Sequence, residues 1–326
     1  MPFVAPGETV RVEITRRHKG YSEARLLAVE EPSPQRVEPP CPYFGRCGGC
    51  SYQHLTSTEQ LRIKGEQVAQ VLRRVGKFAE PPVVATVPSP RDYEYRNRIT
   101  VHVRDGVTGF FGENGRELVD VERCPIAEPN VNEALARFRA RPWMRSGHCT
   151  LRNDPQRRTF HQTNDRAATE LLRLVRELTQ SGDWRHLVDA YCGAGFFARD
   201  LRDRFDTVVG LEWDERAVAE AQKGAAAHER YIAGDVAGTL AEVLFNKPQA
   251  STLLVVDPPA EGLAAGARQA ILDGEPAALV YVSCDPSTLA RDLKELARGY
   301  ELVSVTPLDM FPQTAQIEAV AFLRVK

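Results

Sequence analysis

"YELVSVTPLDMFPQTAQIEAVAFLRV", residues 300–325, contains two β-rich runs with no helix-length segment between them. The runs "YELVSVTPL" and "IEAVAFLRV" therefore read as an antiparallel hairpin, since parallel neighbours need a long crossover. Upstream the pattern changes. Apolar runs at "HLVDAY" (186–191), "TVVGLE" (207–212), "RYIAG" (230–234), "TLLVVD" (252–257) and "ALVYVS" (278–283) alternate with helix-like segments. That alternation predicts an α/β doubly wound sheet of five parallel strands and four intervening helices. A further helix is expected over 286–298, after which the antiparallel pair joins the sheet.

The chain has 326 residues, 43% of them hydrophobic, enough to bury a core divided into two or three domains. Its opening, "MPFVAPGETVRVEI", lacks a basic start followed by an apolar core, and no window holds about 18 uninterrupted apolar residues. A cytoplasmic protein without membrane contact is expected. The net charge of -2 argues against indiscriminate coating of nucleic acid. The charge is unevenly spread, however: residues 1–160 carry 25 basic and 19 acidic side chains, residues 161–326 carry 17 and 25. A basic front half is the one suited to meet phosphates. No obligatory protein partner is indicated.

Ligands of such sheets bind at the carboxyl ends of the strands, so the residues that end each run matter most. The first run leads into "DAYCGAGFF", where Gly193 and Gly195 permit a tight turn and a close backbone approach to a ligand. The second ends at Glu212, placed to accept both hydroxyl hydrogens of a ribose. Asp235, after the third, is a candidate for an adenine amine or a helix cap. The fourth ends in "DPPAEGL", whose two prolines fix Asp257 in an extended turn. The fifth ends at Cys284, followed by Asp285 and Pro286 at a helix start, a setting expected to favour the thiolate of a nucleophile. A parallel sheet with an antiparallel last strand matches the class I methyltransferase arrangement rather than a plain dinucleotide-binding one. Amine methylation is the weaker reading, because Ala260 follows the prolines where an aromatic ring would stack on a base.

In the front half, "CPYFGRCGGC" spaces Cys41, Cys47 and Cys50 closely, which in a reducing compartment points to metal. Spacing alone slightly favours structural zinc over iron and sulfide. Between residues 56 and 76, Thr56 and Glu59 have capping-box spacing and Leu61, Val68, Leu72 and Val75 fall near one helical face, with Gly76 ending the helix. "YEYRNRITVHV" then interleaves Tyr93 and Tyr95 with Arg96 and Arg98 on an expected strand that could stack on or clamp RNA.

Taken together, "FHQTN" (160–164), "DAYCGAG", "DPP" followed by Gly262, "SCDPSTLARDL" and "DMFPQTAQIEAV" (309–320) resemble, in order, the motifs of the RNA uridine carbon-5 methyltransferases. The resemblance implies S-adenosylmethionine as methyl donor and 5-methyluridine in RNA as product. It makes Cys284 the nucleophile and Glu318 the general base. Gln162, Tyr191, Glu212, Asp235 and Asp257 then contact the cofactor or assist the reaction. It also supplies Cys124 in "VERCPIAEP" as a fourth cysteine ligand and turns the metal expectation to a four-iron four-sulfur cluster, leaving Cys149 and Cys192 structural. Cluster spacing resembles the 23S ribosomal RNA branch, with transfer RNA the alternative target. A noncatalytic RNA-binding or folding factor is the alternative of another class, and a nicotinamide-dependent oxidoreductase lies further off.

The implied organisation is a partial N-terminal β-barrel RNA-binding module (1–40), a β-rich iron-sulfur and RNA-contacting region (41–159) and a catalytic domain (160–326), with helix 57–76 packing on the last. The chain departs from the family pattern in its shortened first module, in Ala260 where an arginine is usual, in Phe196 where a polar residue is common and in Asp285 where asparagine is frequent.

Overall fold

A computed structural model describes residues 2–140, 146–155 and 161–326. Near the N-terminus, β1 (Thr9–Arg17) and β2 (Ser22–Glu31) form a two-stranded antiparallel sheet whose side chains are mostly exposed or half-buried. Helix α1 (Ser57–Arg74) follows the cysteine-rich loop. It starts where Thr56 Oγ1 accepts a hydrogen bond from the Glu59 amide at 3.4 Å, an N-cap of the kind that contributes about 1 kcal/mol. Val68 and Leu72 are buried, but Val75 faces solvent, and the buried face instead includes Gln60 and the fully enclosed Lys64.

Next, β3 (Arg98–Arg104), β4 (Val107–Phe111), β5 (Leu118–Asp120) and β6 (Ser146–Arg152) make an antiparallel sheet in the order β5-β4-β3-β6. Along β3 the residues Ile99, Val101 and Val103 are buried while their neighbours are not, the period of two expected of a sheet covered on one face. Helix α2 (Pro129–Ala140) supplies the cover through Val131 and Leu135. The strand starts at Arg98, so Tyr93, Tyr95 and Arg96 precede it rather than lying on it.

The remaining elements are α3 (Asp165–Thr179), β7 (His186–Ala190), α4 (Phe196–Leu201), β8 (Thr207–Glu212), α5 (Glu215–Gln222), β9 (Glu229–Ala233), α6 (Val236–Phe245), β10 (Thr252–Val256), α7 (Ala265–Gly274), β11 (Ala278–Ser283), α8 (Pro286–Leu296), β12 (Tyr300–Leu308) and β13 (Glu318–Val325). Seven strands form one sheet in the order β12-β13-β11-β10-β7-β8-β9. Strands β7 to β11 are parallel, and β13 runs antiparallel to both of its neighbours. This is a class I methyltransferase-like α/β fold with a mixed sheet.

Burial explains why β13, the last strand in the chain, is not the last in the sheet. Its first six residues are all buried, whereas β12 alternates over its first half. The more apolar strand takes the inner place. Helices α6, α7 and α8 pack on one face of the sheet together with α1, through Leu240, Ile271, Leu289 and Leu72, and α3, α4 and α5 pack on the other through Leu171, Phe197 and Val218. Residues 82–87 run along the outer edge of β12, with Val84 donating to Val305 O at 3.0 Å and Val305 donating to Pro82 O at 2.9 Å. No helix among the described residues is long and apolar enough to cross a membrane.

Candidate active site

Parallel strands β7, β8, β10 and β11 end on one rim of the sheet, and because β13 runs the other way it begins there. Its first residue is Glu318. The register pairs Ser283 with Ala319, which sets Cys284, the next residue of that chain, across from Glu318. Asp257 follows β10, the strand between β7 and β11, and its amide donates to Ala190 O at 3.3 Å. Three side chains from distant parts of the sequence therefore share one edge.

Their electrostatics are unusual. Glu318 is 3% exposed, and burial together with the nearby Asp257 carboxyl pushes its pKa well above the carboxylate range. Burial pushes Asp257 up to about 7. Cys284 is solvent-accessible, yet partial desolvation of its sulfur and the charges of Glu318 and Asp257 push the thiol up to about 11. The expected help from the helix start does not operate. Asp285 caps α8, accepting from the Ser287 amide at 2.7 Å and the Thr288 amide at 2.9 Å, so those donors point at a carboxylate instead of the sulfur.

Beside β7 the chain turns sharply. Tyr191 (φ 65°), Gly193 (φ 55°) and Gly195 (φ 85°) all adopt left-handed backbone, and the turn feeds α4. The cavity at this turn, about 560 Å³, is lined by Gln162, Tyr191, Gly193, Gly195 and Asp257 among others. Glu212 lies just behind it, accepting from the Gly193 amide at 2.9 Å and the Asp214 amide at 3.0 Å, one bond on each oxygen. Asp235 is exposed and caps α6 by accepting from the Gly238 amide at 3.0 Å. Phe160, the first residue of "FHQTN", lies outside the described residues.

Three residues of this rim escaped the sequence reading. Asp189 is wholly buried within β7, one oxygen accepting from the Ala198 amide at 2.8 Å and the other without a partner among the described residues. Burial pushes it up to about 8, with Asp257 and Glu212 adding to the rise. A carboxylate inside a five-residue apolar strand was the available signal. Trp213, directly after Glu212, is 74% exposed, a large apolar side chain left uncovered next to the turn. Asp292 is fully buried and accepts from the Leu263 amide and the Tyr281 hydroxyl, each at 2.7 Å, and from Arg268 and Arg291. It thereby fixes the segment after Asp257, where Gly262 (φ 77°) is needed because a Cβ would come within 2.5 Å of Asp292 Oδ2.

Away from this rim, Cys41, Cys47, Cys50 and Cys124 line a separate cavity of about 570 Å³, together with Arg96, Arg98 and Arg152. The Gly49 amide donates to Cys47 Sγ at 3.4 Å. Burial raises Cys50 to about 12 and Cys124 to about 11. Among the described residues, no three His, Cys, Asp or Glu side chains converge tightly enough to hold a single ion. Cys149 sits half-buried on β6, and Cys192 is buried in the turn against Gly210. Tyr95 cannot offer its ring to RNA: it is 1% exposed and its hydroxyl donates to Pro312 O at 2.9 Å.

Residues 238–326 match the family model of tRNA (Uracil-5-)-methyltransferase. Over its whole length the chain is 31% identical to a protein of Bdellovibrio bacteriovorus described as an uncharacterized RNA methyltransferase, covering 89% of it. An uncharacterized RNA methyltransferase of Aquifex aeolicus is 28% identical over 99% of this chain and 92% of its own length. The crystal structure of the Pyrococcus abyssi tRNA (uracil-54, C5)-methyltransferase in complex with S-adenosyl-L-homocysteine superposes with a TM-score of 0.73 over 99% of this chain and 94% of that one, at 24% identity, a likeness of fold. The chain belongs to the RNA (uracil-5-)-methyltransferase family.

Proposed function

We propose that this enzyme forms 5-methyluridine in 23S ribosomal RNA by covalent catalysis through Cys284. The observation that carries the reading is the register of β11 and β13, which sets a solvent-accessible thiol opposite a buried glutamate. Carbon 5 of uracil is too weak a nucleophile to take a methyl group unaided. The Cys284 thiolate bonds to carbon 6, and the electron pair of the carbon 5–carbon 6 double bond moves onto carbon 5 as an enolate. Carbon 5 then takes the methyl group from the sulfonium, whose carbon–sulfur bond breaks to leave S-adenosylhomocysteine. Glu318, in its carboxylate form, removes the remaining proton from carbon 5, the double bond reforms and the thiolate departs. Asp257, beside Glu318, holds the uracil edge or the thiol.

The methyl donor would lie in the cavity at the "DAYCGAG" turn, with Gln162, Tyr191, Gly193 and Gly195 around it. Glu212 retains a free lone pair on each oxygen for ribose hydroxyls, Asp235 stands for the adenine amine, and exposed Trp213 is suited to stack on the adenine ring. A donor carrying positive charge beside Asp257 and Glu318 would favour their ionised forms and lessen the mismatch with the thiol.

Cys41, Cys47, Cys50 and Cys124 would hold a four-iron four-sulfur cluster. Support comes from all four thiols lining one cavity with room for more than a single ion, and from three arginines beside it to balance the charge of a thiolate-bound cluster. When bound, such a cluster ties loop 41–50 to Cys124. Iron and sulfide assays after anaerobic purification check this, and stoichiometric zinc without iron would reject it. The chain would then divide into an RNA-binding module (1–40), a cluster region (41–159) and a catalytic domain (160–326).

Transfer RNA is the second target to test, favoured by the family model that residues 238–326 match. Labelled S-adenosylmethionine offered with 23S ribosomal RNA and transfer RNA transcripts separates the two. Methyl transfer to either, lost in Cys284→Ala, is the expected result. Transfer unchanged in that variant would remove the covalent mechanism, and no transfer at all to uridine would favour an RNA-binding factor.

A further inference from the structure

The connection between β12 and β13 delivers Glu318 to the rim, and what holds that connection lies almost entirely outside the seven-stranded sheet. Four successive backbone carbonyls are each taken by a donor from elsewhere. Asn164 Nδ2 donates to Met310 O at 3.1 Å, Lys64 Nζ to Phe311 O at 3.0 Å and the Tyr95 hydroxyl to Pro312 O at 2.9 Å. The amides of Ser51 and Tyr52 both donate to Gln313 O, at 3.0 and 2.9 Å. Gln60 closes the arrangement from α1: its Oε1 accepts from the Gln313 amide at 2.9 Å and its Nε2 donates to Gln313 Oε1 at 3.0 Å. Gln313 itself has φ 70°, a left-handed conformation that a non-glycine residue keeps only when its surroundings impose it.

We infer that residues 309–314 form a strap whose shape is set by the cysteine-bearing half of the chain, making Gln60, Lys64 and Tyr95 positioning residues for Glu318. The inference rests on the reading of Glu318 as the base that resolves the adduct. Ser51 follows Cys50 directly, so the loop that carries three of the cysteines is joined to the strap where it ends, through the adjacent Ser51 and Tyr52 amides on Gln313 O. An ordered cysteine loop and an aligned base are then two aspects of one arrangement. Proton removal demands closer placement than the bonding of an exposed thiol to uracil, because a misplacement of about 1 Å can cost ~100-fold in rate. Loosening the strap therefore slows resolution of the adduct more than its formation.

The test uses the full chain as purified, with 23S ribosomal RNA and transfer RNA transcripts as probes. Gln60→Ala and Tyr95→Phe are compared with the unaltered protein in single turnover, following both labelled methyl transfer and the lifetime of a denaturation-resistant protein–RNA adduct. Tyr95→Phe removes only a hydroxyl and keeps the test alive if Gln60→Ala fails to fold. The expected result is an adduct lifetime lengthened at least ~10-fold with methyl transfer reduced less than about threefold. A loss of active protein alone lowers both amplitudes without altering the ratio of the two rates. An unchanged ratio in a folded variant overturns the inference. Glu318→Gln, run in parallel, separates the two claims: if it traps adduct and the strap variants do not, the strap falls alone, and if it traps none, the base assignment falls and takes the strap with it.

Discussion

Asp309 and Glu318 stand at opposite ends of the same connection, and both are buried, at 4% and 3% exposure. Asp309 has a cation: Lys64 Nζ approaches Oδ1 to 2.6 Å from a fully enclosed position on α1. Glu318 instead has another acid, Asp257, and a thiol as its charged or titratable neighbours among the described residues. Burial opposes charge in both places, raising Asp309 and lowering Lys64 despite their attraction, but there the pair satisfies itself and serves as a fastening. Among the described residues the glutamate has no such ion pair. A buried carboxyl with a cation holds structure together, whereas one raised by burial and a neighbouring acid is suited to proton-transfer chemistry.

That contrast can be broken most directly at Glu318. Glu318→Gln is expected to lower turnover by about 10²–10⁴ and to accumulate a covalent RNA adduct, read on a denaturing gel, while leaving the melting temperature equal to or above that of the unaltered protein. A large loss of stability would make Glu318 structural after all. Lys64→Met should do the reverse, costing about 3–5 kcal/mol in denaturant unfolding by stranding Asp309 without a partner. The double replacement Lys64→Met with Asp309→Leu should recover most of that loss, and failure to recover would mean that the pair does more than balance charge.

The thiol offers a finer measurement. With a pKa of about 11, the Cys284 thiolate is about 10⁻⁴ of the total at pH 7, so its alkylation by iodoacetamide should rise about tenfold per pH unit up to about pH 10. The sign follows from the neighbours: both raise the thiol by their negative charge, so Glu318→Gln should increase alkylation at pH 8 several-fold. Asp309→Asn, which removes the paired acid, should leave it unchanged. Equal effects of the two substitutions would erase the distinction between the two ends of the connection. Cys284 alone must be followed, by peptide mapping, since Cys41 and other thiols react as well.

Much of this arrangement is legible before any coordinates. Strands β8 and β11 occupy the residues expected from their apolar runs, β7 and β10 end one residue early and β9 is displaced by one residue, because period and composition report burial well and boundaries poorly. The thiol at the end of β11 is visible for the same reason. Glu318 is visible only through the motif that carries it: nothing else local distinguishes it from a solvent-facing strand glutamate, and its surroundings arise from β13 entering the sheet between β12 and β11. The helix start at Asp285 is legible, but not which acceptor its amides meet: those of Ser287 and Thr288 bond the cap carboxylate and not the sulfur. Lys64 was legible in principle, lying three residues after Leu61 and four before Val68 on the apolar stripe of α1, a position where a charge needs a partner. That partner is 245 residues away, and no local rule could name it.

The segment 82–87 along the flank of β12 carries a last consequence. Strand edges with open amides and carbonyls recruit other chains, and here the front half of the protein occupies the one beside the reactive rim. A fragment starting at residue 161 would lose this guard along with the seat of Val68 and Leu72, and would be prone to self-association by edge pairing. The sheet that carries the reactive rim is thus guarded along this edge by residues that precede it in the chain.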